Sequence, residues 1–79
     1  MPRIYFPDPL SRQKYFDTIK EVSQLAWNDI AQECKINIRH LTDLRRGIYS
    51  LSQLKADLIR EKFGVELPKD ITIKEDYWH

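Results

Sequence analysis

Between residues 26 and 47 the chain reads Ala26-Trp27-Asn28-Asp29-Ile30-Ala31-Gln32-Glu33-Cys34-Lys35-Ile36-Asn37-Ile38-Arg39-His40-Leu41-Thr42-Asp43-Leu44-Arg45-Arg46-Gly47. Trp27, Ile30, Ala31 and Cys34 fall at i, i+3, i+4 and i+7, the stripe of a helix from about Ala26 to Cys34. Lys35-Ile36-Asn37 interrupts the period. Asn37 is a good N-cap for a following helix, Ile38 to about Arg46, and Gly47 suits its left-handed C-terminal residue. Two short helices with so brief a connection must cross steeply. The crossing needs a small residue, Ala31, a buried apolar residue in the turn, Ile36, and an inward pair, Leu41 and Leu44. Ile38, Arg39, Thr42, Asp43 and Arg46 are then left on the open face.

Working outward, Asp8-Pro9 predicts a helix start: an acceptor at the N-cap, then proline where its missing N–H is harmless. Tyr15, Phe16, Ile19 and Val22 recur at helical spacing, so a first helix is expected from about Pro9 to Val22, with a break at Ser23-Gln24. Downstream, Ser50 and Gln53 match a capping box for a fourth helix running to about Phe63. Its expected stripe is Leu51, Leu54, Leu58 and Phe63. Arg60 and Lys62 suit its last turn, Gly64 stops it and Pro68 prevents resumption. Arg3-Ile4-Tyr5-Phe6 and the tail, Ile71-Thr72-Ile73 and then Asp76-Tyr77-Trp78-His79, alternate like strands. An isolated ribbon of two is marginal in water. The expected class is therefore all-α: a compact four-helix domain over residues 9–67, with a short extended arm at 1–8 and a C-terminal tail at 68–79.

The bulk numbers exclude several classes. The 79 residues make one domain at most, and 42% are hydrophobic, spread along the chain. The single cysteine allows no intrachain disulfide, which fits a reducing cytoplasm. No apolar run approaches the roughly 18 residues of a membrane span. The opening Met1-Pro2-Arg3-Ile4-Tyr5-Phe6-Pro7 is too short and proline-broken for a signal peptide. The two histidines, His40 and His79, have no cysteine or second histidine at ligand spacing, so no metal or other cofactor is expected. No nucleophile motif, paired carboxylates or glycine-rich phosphate loop is present, and no enzymatic activity or small-molecule substrate is expected. Thirteen basic residues stand against 12 acidic ones, a net charge of +1. The whole is near neutral, but between Lys35 and Arg46 four cations, Lys35, Arg39, Arg45 and Arg46, oppose the one carboxylate of Asp43, a local charge of +3.

Ile30-Ala31, Cys34, Ile36, Leu41, Leu44 and Gly47 resemble the helix-turn-helix of the phage-repressor-like (lambda repressor/Cro, XRE-type) family, matching without a gap from Ala31 to Gly47. Leu54, Leu58, Phe63-Gly64-Val65 and Leu67 are similar to that family's fourth helix and its exit, so the resemblance covers about residues 16–67. It implies that Asn37 caps the recognition helix and touches a phosphate. It implies further that Ile38, Arg39, Thr42 and Asp43 face bases in the major groove. Trp27 takes a place from which the family reaches the DNA backbone. Lys35, Arg45 and Arg46 add positive charge for the same contact. The chain departs from the family at Lys35, where glycine is usual, at Arg45, where an acidic residue is common, and after Pro68, where a strand-like tail replaces a dimerising fifth helix.

The residues themselves support this chemistry. Arg39 can donate two hydrogen bonds to guanine, and Asp43 can accept from cytosine or orient Arg39 four residues before it. The expectation is sequence-specific binding of double-stranded DNA. The chain would be a cytoplasmic, nucleoid-associated regulator of transcription or the targeting module of a longer protein, with a homodimer or a C-terminal continuation as further partners. The alternative is a protein-interaction module on the same fold, favoured by the low net charge and by Ile38 exposed at the head of the recognition helix. Single-stranded nucleic acid would need exposed aromatics beside cations, and Trp27 alone is thin support. The remaining side chains also have plain packing roles: Cys34 in the core, Trp27 half-buried by its area, and Tyr5, Phe6, Tyr77 and Trp78 either packed at the ends or free for a partner.

Overall fold

The computed structural model describes residues 2–75 of the chain. Within them the order is β1 (Pro2–Tyr5), α1 (Pro9–Ser23), α2 (Trp27–Glu33), α3 (Ile38–Arg46), β2 (Leu51–Ser52), α4 (Gln53–Phe63) and β3 (Thr72–Glu75). The first three helices lie close to where the periodicity places them, and the fourth ends there but starts later. The all-α expectation is wrong: the arm, the segment before α4 and the tail form a three-stranded antiparallel sheet of order β2-β1-β3. The protein is mixed α and β.

The physical reason is the third strand. Arg3 pairs with Ser52 and Ile4 with Leu51 on one side of β1, while Ile4 pairs with Ile73 and Tyr5 with Thr72 on the other. A lone arm-and-tail ribbon would be marginal, but three strands seated on helices bury an apolar face. Ile4, only 1% exposed, and Leu51 carry that face into the helical core. Around them lie Tyr15, Phe16 and Ile19 from α1, Ile30 and Ala31 from α2, and Leu41 and Leu44 from α3. Cys34, Ala56, Ile59 and Val65 complete it.

The sheet also moves the start of α4. Leu51 and Ser52 are in β2, and Ser52, not Ser50, caps the helix: its hydroxyl accepts from the Lys55 backbone N–H at 3.2 Å. The buried stripe is consequently Ala56 and Ile59, while Leu54 faces outward at 62% exposure. Val22, expected in the core, is likewise exposed. At the other end, Asp8 caps α1 as expected, its carboxylate accepting from Ser11 N–H at 2.7 Å. Phe6 stacks on Tyr15 with ring centroids 5.4 Å apart, so one of the aromatic ends packs inward. Tyr5 stays exposed with Lys74 above its ring. Tyr77, Trp78 and His79 lie outside the described residues.

Candidate nucleic-acid interface

The stretch from Ala26 to Gly47 forms helix, tight turn and helix. Ala31 is 2% exposed where α2 is crossed, and its carbonyl accepts the Ile36 N–H at 3.0 Å, closing the turn. Lys35 takes the left-handed conformation, φ 59°, a region that favours glycine. The turn is pinned from α4 as well, because Lys55 Nζ donates to the Cys34 carbonyl at 2.9 Å. That cation meets the C-terminal carbonyls of α2, where the helix dipole favours it. Ile36 packs half-buried against the core.

α3 is capped at both ends. Asn37 Oδ1 accepts from His40 N–H at 2.7 Å, so the Asn37 side chain is engaged in the cap the sequence predicts. At the far end Gly47 adopts φ 82°, and the Ile48 N–H returns to the Asp43 carbonyl at 3.0 Å. Arg12, on α1, donates from Nε to the Arg45 carbonyl at 3.0 Å and from Nη2 to the Arg46 carbonyl at 3.2 Å. Its guanidinium lies against Gly47, so a Cβ there would have to displace the Arg12 side chain, and the positive φ is what favours glycine.

With Leu41 and Leu44 buried, α3 presents its other face outward. Ile38 and Arg39 are exposed at its N-terminal turn, and Thr42 and Asp43 are half-buried one turn on. Thr42 donates its hydroxyl proton to the Ile38 carbonyl at 3.0 Å, which leaves its oxygen free to accept. Arg39 and Asp43, though spaced for an ion pair, do not form one. Arg39 is exposed, and among the described residues no hydrogen bond or ion pair engages its donors.

The expected backbone contacts are disposed differently from one another. Lys35 and Arg46 are exposed. Arg45 is half-buried, its guanidinium carbon 3.7 Å from the centre of the Trp27 ring, with Lys20 Nζ 5.9 Å from the same ring. Stacking on an aromatic face holds a guanidinium without using its donors, since they lie in its own plane. Trp27 and Arg45 are therefore one unit, spanning from the start of α2 to the end of α3. Beside it a groove of about 270 Å³ separates α1 from α3, lined by Arg12, Gln13, Asp17, Thr42, Arg45 and Arg46.

Sequence reasoning missed Arg12, Lys20 and Lys55. Arg12 had a signal: it stands at i, i+4 and i+7 with Phe16 and Ile19, a cation on the core stripe of α1, which calls for a buried acceptor. Lys55 had none, because its partner is a backbone carbonyl 21 residues away. Elsewhere, His40 packs beside Tyr49 at a ring distance of 5.7 Å. No family model matches the chain, and comparison with curated proteins and with solved structures gives no match.

Proposed function

We propose that this protein is a sequence-reading double-stranded DNA-binding module, acting through α3 in the major groove. One observation carries the reading: α3 stands with its N-terminal open face, Ile38, Arg39, Thr42 and Asp43, free of the core and flanked by cations at Lys35, Arg45 and Arg46. A helix docked in the major groove offers those same positions to base edges. Arg39 is the guanine reader. Asp43 and Thr42 supply acceptors toward amino groups of cytosine or adenine. The Trp27–Arg45 stack, Lys35, Asn37 and Arg46 face the phosphates. In the cell such a module regulates transcription or targets a longer protein, in the cytoplasm and at the nucleoid when bound. It acts by binding and without catalysis, cofactor or metal. Among the described residues no helix is long and apolar enough to cross a membrane.

The test is selection from a pool of random duplexes at two salt concentrations, followed by sequencing. A recovered motif whose affinity falls steeply with salt supports a phosphate-anchored, base-reading domain. No binding at low salt would overturn the reading. A second reading, a protein-interaction surface, is favoured by Ile38, Ile48 and Tyr49, which are 41%, 55% and 55% exposed on and beside α3. It predicts that Ile48→Ser leaves any DNA affinity unchanged while abolishing the contact with a protein partner.

A further inference from the structure

We infer that the cleft between α1 and the connection from Val65 to Asp70 binds a small amphipathic amine: an ammonium at one end, an apolar body, and a hydrogen-bonding oxygen at the other. The cleft has a volume of about 540 Å³, the size of a small-molecule site. It stands on a different side of α1 from the groove that faces α3. Ser11, Lys14 and Thr18 line the cleft, whereas Arg12, Gln13 and Asp17 line the groove. Occupancy of the cleft is therefore independent of what α3 contacts.

Three features of the lining select the ligand. The first is an apolar wall of Leu10, Val65 and Pro68. Leu10 is 76% exposed, and an apolar body laid on it removes that surface from water. The second is charge. Asp8, Glu66 and Asp70 stand against Lys14 alone, so the lining carries a net charge of −2 in a chain whose total is +1. The Asp8 carboxylate is engaged at the α1 cap, where it accepts from Ser11 N–H. Among the described residues no ion pair or side-chain hydrogen bond engages Glu66 or Asp70. An ammonium beside them is attracted, and a carboxylate is repelled.

The third feature is Tyr15. It lines the cleft and is 4% exposed. Its hydroxyl is the one buried side-chain N or O atom without a hydrogen-bond partner among the described residues. Buried polar groups are as a rule hydrogen-bonded. A ligand oxygen at the inner end of the cleft accepts the phenol proton, whereas a plain alkylammonium leaves it unmet. The apolar wall thus takes the body of the ligand, the two carboxylates its charge, and Tyr15 its oxygen.

Titration of the whole isotope-labelled chain with aminohexanol, followed by backbone amide NMR, is expected to give saturable shifts at Leu10, Lys14, Thr18 and Glu66. Hexylammonium lacks the oxygen and hexanediol lacks the charge. Each should bind about fivefold more weakly than aminohexanol, and hydroxyhexanoate more weakly still. The advantage over hexylammonium should vanish in Tyr15→Phe, whose melting temperature reports whether it folds. The advantage over hexanediol should vanish in the double variant Glu66→Gln, Asp70→Asn, where both changes fall on exposed residues. Should Tyr15→Phe fail to fold, the carboxylate variant decides alone. Absence of saturable shifts at these amides, hydroxyhexanoate binding as tightly as aminohexanol, or survival of either advantage in its folded variant overturns the site.

Discussion

Arg39 is where base reading stands or falls. It is exposed on the first turn of α3 and is not tied to Asp43. Arg39→Ala is expected to remove discrimination at one base pair, worth roughly 1–3 kcal/mol, while affinity for unrelated duplexes changes little. Binding measured on a panel of single-base variants of the selected site checks this. A uniform loss across the panel would make Arg39 a phosphate contact. Two core groups make a different prediction at the same scale. Burial pushes the Cys34 thiol up, and burial together with the neighbouring thiol pushes the Tyr15 phenol up further. Tyr15 is also buried without a hydrogen-bond partner for its hydroxyl. At neutral pH both groups are protonated whether the chain is folded or not. Above the ordinary thiol range, near pH ~8.5, the unfolded chain releases protons that the folded chain keeps, so stability falls as pH rises. The melting temperature should therefore drop from about pH 8.5 upward. In Cys34→Ala the first part of that drop should vanish, at the expense of a lower melting temperature throughout.

At the scale of the element, α2 and α3 owe their geometry to four local devices: the Ala31 crossing, the left-handed Lys35, the Asn37 cap and the Gly47 exit. The Ala31 crossing, the Asn37 cap and the Gly47 exit were legible in the residues, because each is a short-range matter of sterics or capping that depends on neighbours within one turn; at Lys35 only the resemblance, with glycine usual there, pointed to a special backbone. Lys35 is the strained one. A non-glycine residue in the left-handed region costs roughly 1–2 kcal/mol, and the flexibility of glycine returns part of that. Lys35→Gly is thus expected to raise stability by about 0.5–1 kcal/mol in chemical denaturation. The same change removes an exposed cation, so it should weaken DNA binding and flatten its salt dependence. A stabilised variant with unchanged salt slope would show that Lys35 does not meet a phosphate. The start of α4 was misread for a reason of the same kind. Ser50 and Ser52 are both acceptable caps, and local chemistry does not choose between them. The choice is made by Leu51, which pairs with Ile4 in the sheet and leaves Ser52 as the first residue able to turn into the helix.

At the scale of the whole molecule, β1 ties the two ends of the chain to the middle. It is the central strand, and its Ile4 touches both the helical core and the strands on either side. Ile4→Ala is expected to destabilise the fold by about 2–5 kcal/mol, as for other large-to-small changes at fully buried sites. A urea titration checks it. A loss well under 1 kcal/mol would mean that the sheet is peripheral to stability. The charge is organised at this scale too. Net charge is near zero, yet the surface around α3 gathers Lys35, Arg39, Arg45 and Arg46, and α1 brings Arg12 and Lys20 to the same side. Only local charge matters for a ligand closer than the screening length of about 8–10 Å, so neutrality of the whole is compatible with an anionic partner.

From residue order alone came the four helices, the turn between α2 and α3, the inward Leu41 and Leu44, and the outward Ile38, Arg39, Thr42 and Asp43. These follow from helical period and capping, which act over a few residues and leave a regular trace. The strand-like alternation of the arm and tail was legible too, but tertiary structure alone decided that they join β2 in one three-stranded sheet. A strand's stability comes from partners remote in sequence, and here the deciding partner is two residues long, too short to carry a pattern. The same remoteness hid Arg12 at the end of α3, Lys55 beneath the turn and Arg45 stacked on Trp27. Each joins groups on different elements, and only the packed core sets those elements side by side.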